Sequence, residues 1–210
     1  MAEDKYREGA IRFREDFFRA NRDLFKQLEN GQSPDTILIS CSDSRVVPHL
    51  KTGAFPGEIF VLRNIGNFIP PYREDGVDGS GVGAFLEYGI DVLGARHIIV
   101  MGHTHCGAVT GILKKSEKVE NSLFIKNWLR TGSVLEGIIR KKYGTLDDSI
   151  VLEEACEENV RLQLGNLQSF PFLMERLENG KISLHGWLYR VKTGEVLFLD
   201  SETDTFTLLA

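Results

Sequence analysis

Three short runs constrain the fold most. Thr36-Ile37-Leu38-Ile39-Ser40, Ile59-Phe60-Val61-Leu62 and Ile98-Ile99-Val100-Met101 are β-rich and lack the polar alternation of a half-exposed strand, so each reads as a strand covered on both faces. Between the second and third, Val82, Phe85, Leu86, Ile90 and Leu93 recur at helical spacing, opened by glycines and closed by Gly94. Strand, crossover helix, strand predicts a parallel sheet. A long helix is expected from about Leu152 to Leu167, a break at Pro171, and a second helix ending at Asn179-Gly180. Two last strands, Ile182 to Val191 and Glu195 to Asp200, are joined by Lys192-Thr193-Gly194, a hairpin turn that makes the final strand antiparallel.

Ahead of this pattern, Tyr6, Ala10, Phe13, Phe17, Ala20, Leu24 and Leu28 recur at three- and four-residue steps among charges, stopped by Asn30-Gly31. This predicts an amphipathic N-terminal helix whose apolar stripe either covers its own core or grips a neighbouring chain. With no internal repeat and no linker long enough to divide it, the chain is expected to form a single α/β domain over residues 1–210. That domain has a mostly parallel central sheet with one antiparallel edge strand, flanked by helices and preceded by the N-terminal helix.

Charge and cysteine content narrow the function. A formal net charge of −5, with no basic block beyond Arg140-Lys141-Lys142, gives no support to nucleic-acid binding. No apolar run approaches a membrane span, and the charged Met-Ala-Glu-Asp-Lys start lacks the core of a signal peptide. Three cysteines do not make a disulfide framework and fit a reducing compartment, so a cytoplasmic protein is expected. Cys156, on the apolar face of a helix, reads as core.

The other two cysteines read as chemistry. Cys41-Ser42-Asp43-Ser44-Arg45 follows the first apolar run, and His103-Thr104-His105-Cys106-Gly107 follows the third. Both segments fall just past the carboxyl ends of strands, where open α/β sheets place their sites and where neighbouring parallel strands bring distant residues together. Two thiols and an imidazole suit Zn²⁺, and three protein ligands leave a fourth position for water, the pattern of a catalytic zinc. Asp43 and Arg45 sit beside the first ligand. His97 and His185 read as structural histidines, Trp128 and Trp187 as packing residues, and the glycines at 76, 79, 81 and 83 match no dinucleotide fingerprint.

Cys-Ser-Asp-Ser-Arg at 41–45 and Gly-His-Thr-His-Cys-Gly-Ala at 102–108 resemble the two signatures of the β-class carbonic anhydrases. Gln32-Ser33-Pro34, Pro56-Gly57-Glu58, Arg63-Asn64-Ile65-Gly66-Asn67, Glu87-Tyr88 and His185-Gly186-Trp187 are similar to that family in order and spacing. The branch most resembled contains plant and cyanate-operon enzymes. The resemblance implies one Zn²⁺ per chain on Cys41, His103 and Cys106, with Asp43 and Arg45 as the catalytic dyad. It implies a substrate pocket of Gln32, Phe60, Ile65, Tyr88 and the Gly107 amide, Gln32 reaching in from a partner subunit. It also implies a tight homodimer, or a higher oligomer built of dimers, and residues 1–31 are expected to pack on a partner subunit.

The implied reaction is reversible hydration of carbon dioxide to bicarbonate and a proton by a zinc-bound hydroxide. Zinc brings the pKa of its water from about 15.7 to about 7 in the histidine-ligated carbonic anhydrases, which perform this same reaction. Two thiolates cancel the zinc's formal charge, which predicts a less acidic water and activity rising on the alkaline side. Arg45 is expected to hold Asp43 off the zinc by a bidentate pair, and His105 and His49 are candidates for exporting the proton. Leu38 stands where a bicarbonate-inhibited branch carries tryptophan, so no such inhibitory site is expected. Two alternatives remain: a zinc hydrolase of CS₂ or COS on the same scaffold, and a non-catalytic, zinc-stabilised bicarbonate-binding protein. A cysteine phosphatase is a poor fit, because only three residues separate Cys41 from Arg45.

Overall fold

The computed structural model describes residues 2–75, 80–144 and 149–208, in two compact units, Met1–Ser33 and Pro34–Ala210. Gly76 and Gly79 lie outside the described residues.

The first unit differs from one uninterrupted helix. Helix α1 (Ala2–Arg12) runs into a π-helical segment, Phe13–Phe18, and α2 (Arg22–Leu28) follows a break at Asn21. The break has a local cause: the Asn21 side-chain amide donates to the Phe17 carbonyl at 2.7 Å, competing for a helical acceptor. Phe13, Phe17 and Phe18 thereby all reach Phe25, with ring centroids 5.9, 6.1 and 4.8 Å from it. None of the residues of the π segment or of α2 is buried.

The second unit holds a six-stranded sheet in the order β2-β1-β3-β4-β5-β6. The strands are β1 (Thr36–Cys41), β2 (Ile59–Asn64), β3 (His97–His103), β4 (Ser183–Tyr189), β5 (Val196–Asp200) and β6 (Thr205–Leu208). β2, β1, β3 and β4 are parallel, while β5 and β6 add on antiparallel. The expected single antiparallel edge is therefore two strands, and the edge is β6. That short strand is anchored from a distance by Arg161, which donates to the Asp204 carboxylate at 3.0 Å and its carbonyl at 2.8 Å and lies over the Phe206 ring.

Helix α3 (Pro48–Thr52) follows β1, and α4 (Ser80–Glu87) continues as a π-helical turn, Tyr88–Val92, ended by Gly94 at φ 79°. Helices α5 (Gly107–Lys114), α6 (Glu117–Glu120), α7 (Leu123–Leu129) and α8 (Val134–Tyr143) lead to α9 (Ser149–Leu167) and α10 (Pro171–Glu178), matching the predicted helix, proline break and second helix. The larger core joins Ile37, Ile39, Ile98 and Val100 of the sheet to Leu86, Leu135, Val160 and Leu173 of the helices. Leu38, Ile99 and Met101 point to the other face, with Val46 and Tyr189. Both faces of β1 and β3 are filled, which is why their sequences do not alternate. Gly102 allows α9 to approach, since a Cβ there would lie 2.5 Å from Val160 Cγ2. Among the described residues no helix is long and apolar enough to cross a membrane.

Candidate metal centre

β1 and β3 are adjacent and parallel, with Ser40 opposite Met101. Their carboxyl ends therefore deliver Cys41 and His103 side by side, and α5 begins directly after Cys106. Ligand atoms of Cys41, His103 and Cys106, all buried, lie within 4.8 Å of one another. The two sulfurs are 4.0 Å apart, close to the edge of about 3.8 Å that tetrahedral Zn–S bonds of about 2.3 Å require. His103 Nδ1 lies 2.9 Å from the Thr104 carbonyl. A carbonyl only accepts, so Nδ1 carries the proton and the lone pair sits on Nε2. That Nε2 is buried with no hydrogen-bond partner. A buried acceptor left unpaired beside two thiols fits a metal ion. Zinc suits the soft donor set, and three ligands leave it one open position.

The sulfurs differ. Cys41 accepts from the amides of Asp43 and Gly66, each at 3.4 Å. The neighbouring Cys106 thiol most of all, then His103 and these amides, hold Cys41 well below the ordinary thiol range against the effect of burial. Cys106 is pushed up by Cys41 and by burial, so Cys41 is the sulfur already set to carry negative charge; a bound dication makes thiolates of both.

Asp43 and Arg45 form the expected fork. Arg45 Nε donates to Asp43 Oδ1 at 2.9 Å and Nη2 to Oδ2 at 2.7 Å, while the Arg45 amide also donates to Oδ1 at 3.0 Å. A further bond from Nη2 to the His105 carbonyl at 3.1 Å ties the fork to the second ligand loop. Asp43 Oδ2 stops 4.0 Å from His103 Nε2, beside the ligand triad. The Arg45 fork holds the Asp43 carboxyl well below its usual range, so it acts as an acceptor. His105 is exposed, with φ 57°, which separates it from the ligand role of buried His103.

Of the remaining expected residues, half-buried Phe60 stacks on Phe85 at 4.3 Å and meets Tyr88 at 5.9 Å. Ile65 and Tyr88 are 48% and 47% exposed, unusual for pocket walls of a closed site. Gly107 is the first residue of α5 and exposed, with its amide at the positive end of the helix. Gln32 belongs to the Met1–Ser33 unit and is exposed. His49 lies exposed on α3. His97 and His185 are satisfied as expected, sharing Ser183 Oγ at 2.8 and 2.7 Å. Trp128 packs on Phe68 and also donates to the Ile65 carbonyl at 2.7 Å.

Several positioning groups escaped the sequence reading. Arg63 donates to the carbonyls of Cys41 at 3.2 Å and Asp43 at 2.8 Å, bracing the first ligand loop. Buried Asn159 and Gln163, one helical turn apart on α9, hold the turn that follows β2. Asn159 Nδ2 donates to the Gly66 carbonyl at 3.1 Å, Gln163 Oε1 accepts from the Ile69 amide at 2.7 Å, and Gln163 donates to Asn159 at 2.9 Å. Their only signal was two amides at i and i+4 on an otherwise apolar face.

The family sequence model described as "Carbonic anhydrase" matches residues 36–196. The chain belongs to the β-class carbonic anhydrase family. It is 43% identical over 199 residues to a carbonic anhydrase of Synechocystis sp., covering 95% of this chain and 72% of that protein. With a carbonic anhydrase of Pseudomonas aeruginosa it shares 36% over 203 residues, covering 97% and 90%. Among solved structures it resembles the β-carbonic anhydrase CcaA with a TM-score of 0.94 at 41% identity over the whole of both chains. A Coccomyxa β-carbonic anhydrase in complex with acetazolamide gives 0.81 at 27% identity, covering 93% of this chain and 85% of that one.

Proposed function

We propose that this carbonic anhydrase hydrates carbon dioxide reversibly to bicarbonate and a proton, with one zinc held by Cys41, His103 and Cys106. The observation that carries the reading is the unpaired, buried Nε2 of His103, its lone pair fixed by the Thr104 carbonyl, facing two sulfurs at tetrahedral spacing. Zinc, when bound, supplies an acidified water and a Lewis acid.

The chain's own residues do the rest. Arg45 occupies both oxygens of Asp43 and keeps that carboxylate from closing the metal's open position. Asp43 then accepts a hydrogen bond from the nucleophile and turns its lone pair toward carbon dioxide. Phe60, Ile65 and Tyr88 provide apolar walls for a small apolar substrate, while the Gly107 amide and Gln32 polarise one of its oxygens. The exposure of Ile65 and Tyr88 supports a pocket completed by a second subunit, with the helical arm of residues 1–31 packing on that partner. We place the enzyme in homodimers or assemblies of them, in the branch of plant and cyanate-operon enzymes. Thiolate ligation needs reduced cysteines, which suits the cytoplasm.

The test is exchange of ¹⁸O between carbon dioxide and water, followed by mass spectrometry. Exchange should vanish on chelation and return in full with one equivalent of zinc. Exchange indifferent to chelation, or absent with zinc bound, would overturn the proposal, and hydrolysis of COS or CS₂ in its place would favour the alternative zinc hydrolase.

A further inference from the structure

A cleft of about 420 Å³ opens at the end of the sheet opposite the ligand triad, beneath the amino ends of β3 and β4. Six residue steps of extended strand separate His97 from His103, about 20 Å at about 3.3 Å per step, so the cleft is no part of the metal centre. Ile90, Ala95 and Ile182, all buried, form its floor. Arg96, Arg176 and Lys181 supply its charge. Arg176 is committed: it donates to Asp91 at 2.6 Å and to the Phe172 carbonyl at 2.8 Å. Among the described residues, the side chains of Arg96 and Lys181 have no hydrogen-bond or ion-pair partner. Three cations against the one carboxylate of Asp91 leave two positive charges uncompensated, in a chain whose formal net charge is −5.

Cations near helix ends are common because they complement the helix dipole, and Arg176 does so on α10. Arg96 and Lys181 differ, since each lies beyond a helix-ending glycine, Gly94 or Gly180, both at positive φ. Their backbones are nevertheless fixed. The Arg96 amide donates to the Asp35 carbonyl at 2.8 Å, the Lys181 amide to the Arg176 carbonyl at 2.8 Å, and the Ser183 amide to the Arg96 carbonyl at 2.9 Å. This last bond ties the two rims together, so the cations stand on preorganised backbone and less ordering is left for a ligand to supply.

We infer that this cleft is an anion site for a small phosphate monoester, the phosphate dianion held by Arg96 and Lys181 and the short organic body resting on Ile90, Ala95 and Ile182. A dianion matches the two uncompensated charges, and arginine's fork suits phosphate oxygens. The volume lies in the lower part of the usual range for small-molecule sites.

Isothermal titration of the zinc-loaded enzyme with glycerol 3-phosphate tests this, with inorganic phosphate, glycerol and potassium chloride at matched ionic strength as parallel titrants. Arg96→Gln and Lys181→Gln alter exposed side chains whose loss leaves the backbone bonds in place. Saturable binding of one glycerol 3-phosphate per chain is expected, tighter than inorganic phosphate. It should weaken by about tenfold or more in the double variant, whose carbon dioxide hydration without ligand stays unchanged. No saturable binding, equal binding by the double variant, or equal heats with chloride would overturn the site. Inorganic phosphate binding more tightly than the monoester would overturn the assignment of the ligand.

Discussion

Replacing Arg45 by alanine removes both side-chain bonds to Asp43 together with the anchor on the His105 carbonyl, leaving Asp43 the bond from the residue-45 backbone amide. A hydrogen bond to a charged group contributes about 1.5–3 kcal/mol. With the Arg45 side chain 46% exposed, solvent screening reduces the net restraint on Asp43 to about 1–2 kcal/mol. Converted at about 1.4 kcal/mol per tenfold, that shifts Asp43 toward the metal's open position by about 5- to 30-fold, and kcat/KM should fall by up to the same factor. The assay is stopped-flow hydration at equal zinc content, with X-ray absorption at the zinc edge reporting whether a carboxylate oxygen has joined the ligands. Arg45→Lys should recover part of the loss, because it keeps the charge without the fork. In an Asp43→Asn background, removing Arg45 should cost little more. An Arg45→Ala enzyme with full activity and unchanged zinc coordination would refute this role.

The same pair sets an acid dependence. The Arg45 fork keeps the folded-state pKa of Asp43 below its unfolded value, so the stability it contributes is complete above about pH 4 and is lost as pH falls toward the folded value. Urea melts of the native chain and Arg45→Ala should therefore differ at neutral pH and draw together as pH falls toward the folded value of Asp43; a gap widening in acid would contradict this. Gly66→Ala places a Cβ 2.7 Å from the Phe68 ring and 2.9 Å from Ala108, at φ 82°. It should cost about 1–3 kcal/mol of overpacking and lower zinc content by displacing the amide that holds Cys41, as thermal melts and metal analysis will measure. Burial pushes the Cys156 thiol up to about 11, so iodoacetamide should label it only in denaturant; labelling of the native protein at the rate of a free thiol would contradict that burial.

The parallel strands, the hairpin and the metal triad were legible because each rests on local signal: unbroken apolar runs, a glycine turn, and soft ligands placed just beyond strand ends. The π-helical turns at Phe13–Phe18 and Tyr88–Val92 were not, since one extra residue in a turn barely alters apolar spacing. β6 is four residues long and largely exposed, and what anchors it, Arg161 on Asp204, joins positions 43 apart. The bonds from Asn159 to Gly66 and from Gln163 to Ile69 span more than ninety residues. Such long-range polar bonds become visible only once the chain has folded. Of the proposed substrate-pocket residues, Ile65 and Tyr88 are exposed, and nothing in the local sequence pattern signals what a second subunit would cover.

Stopped-flow hydration of carbon dioxide from about pH 6.5 to 9 by protein carrying one zinc per chain tests the central claim most directly. Two thiolates soften the metal, so the predicted result is fast hydration that rises with pH and is abolished in Cys106→Ser. No hydration at any pH with zinc fully bound, or a rate that Cys106→Ser leaves untouched, would contradict it.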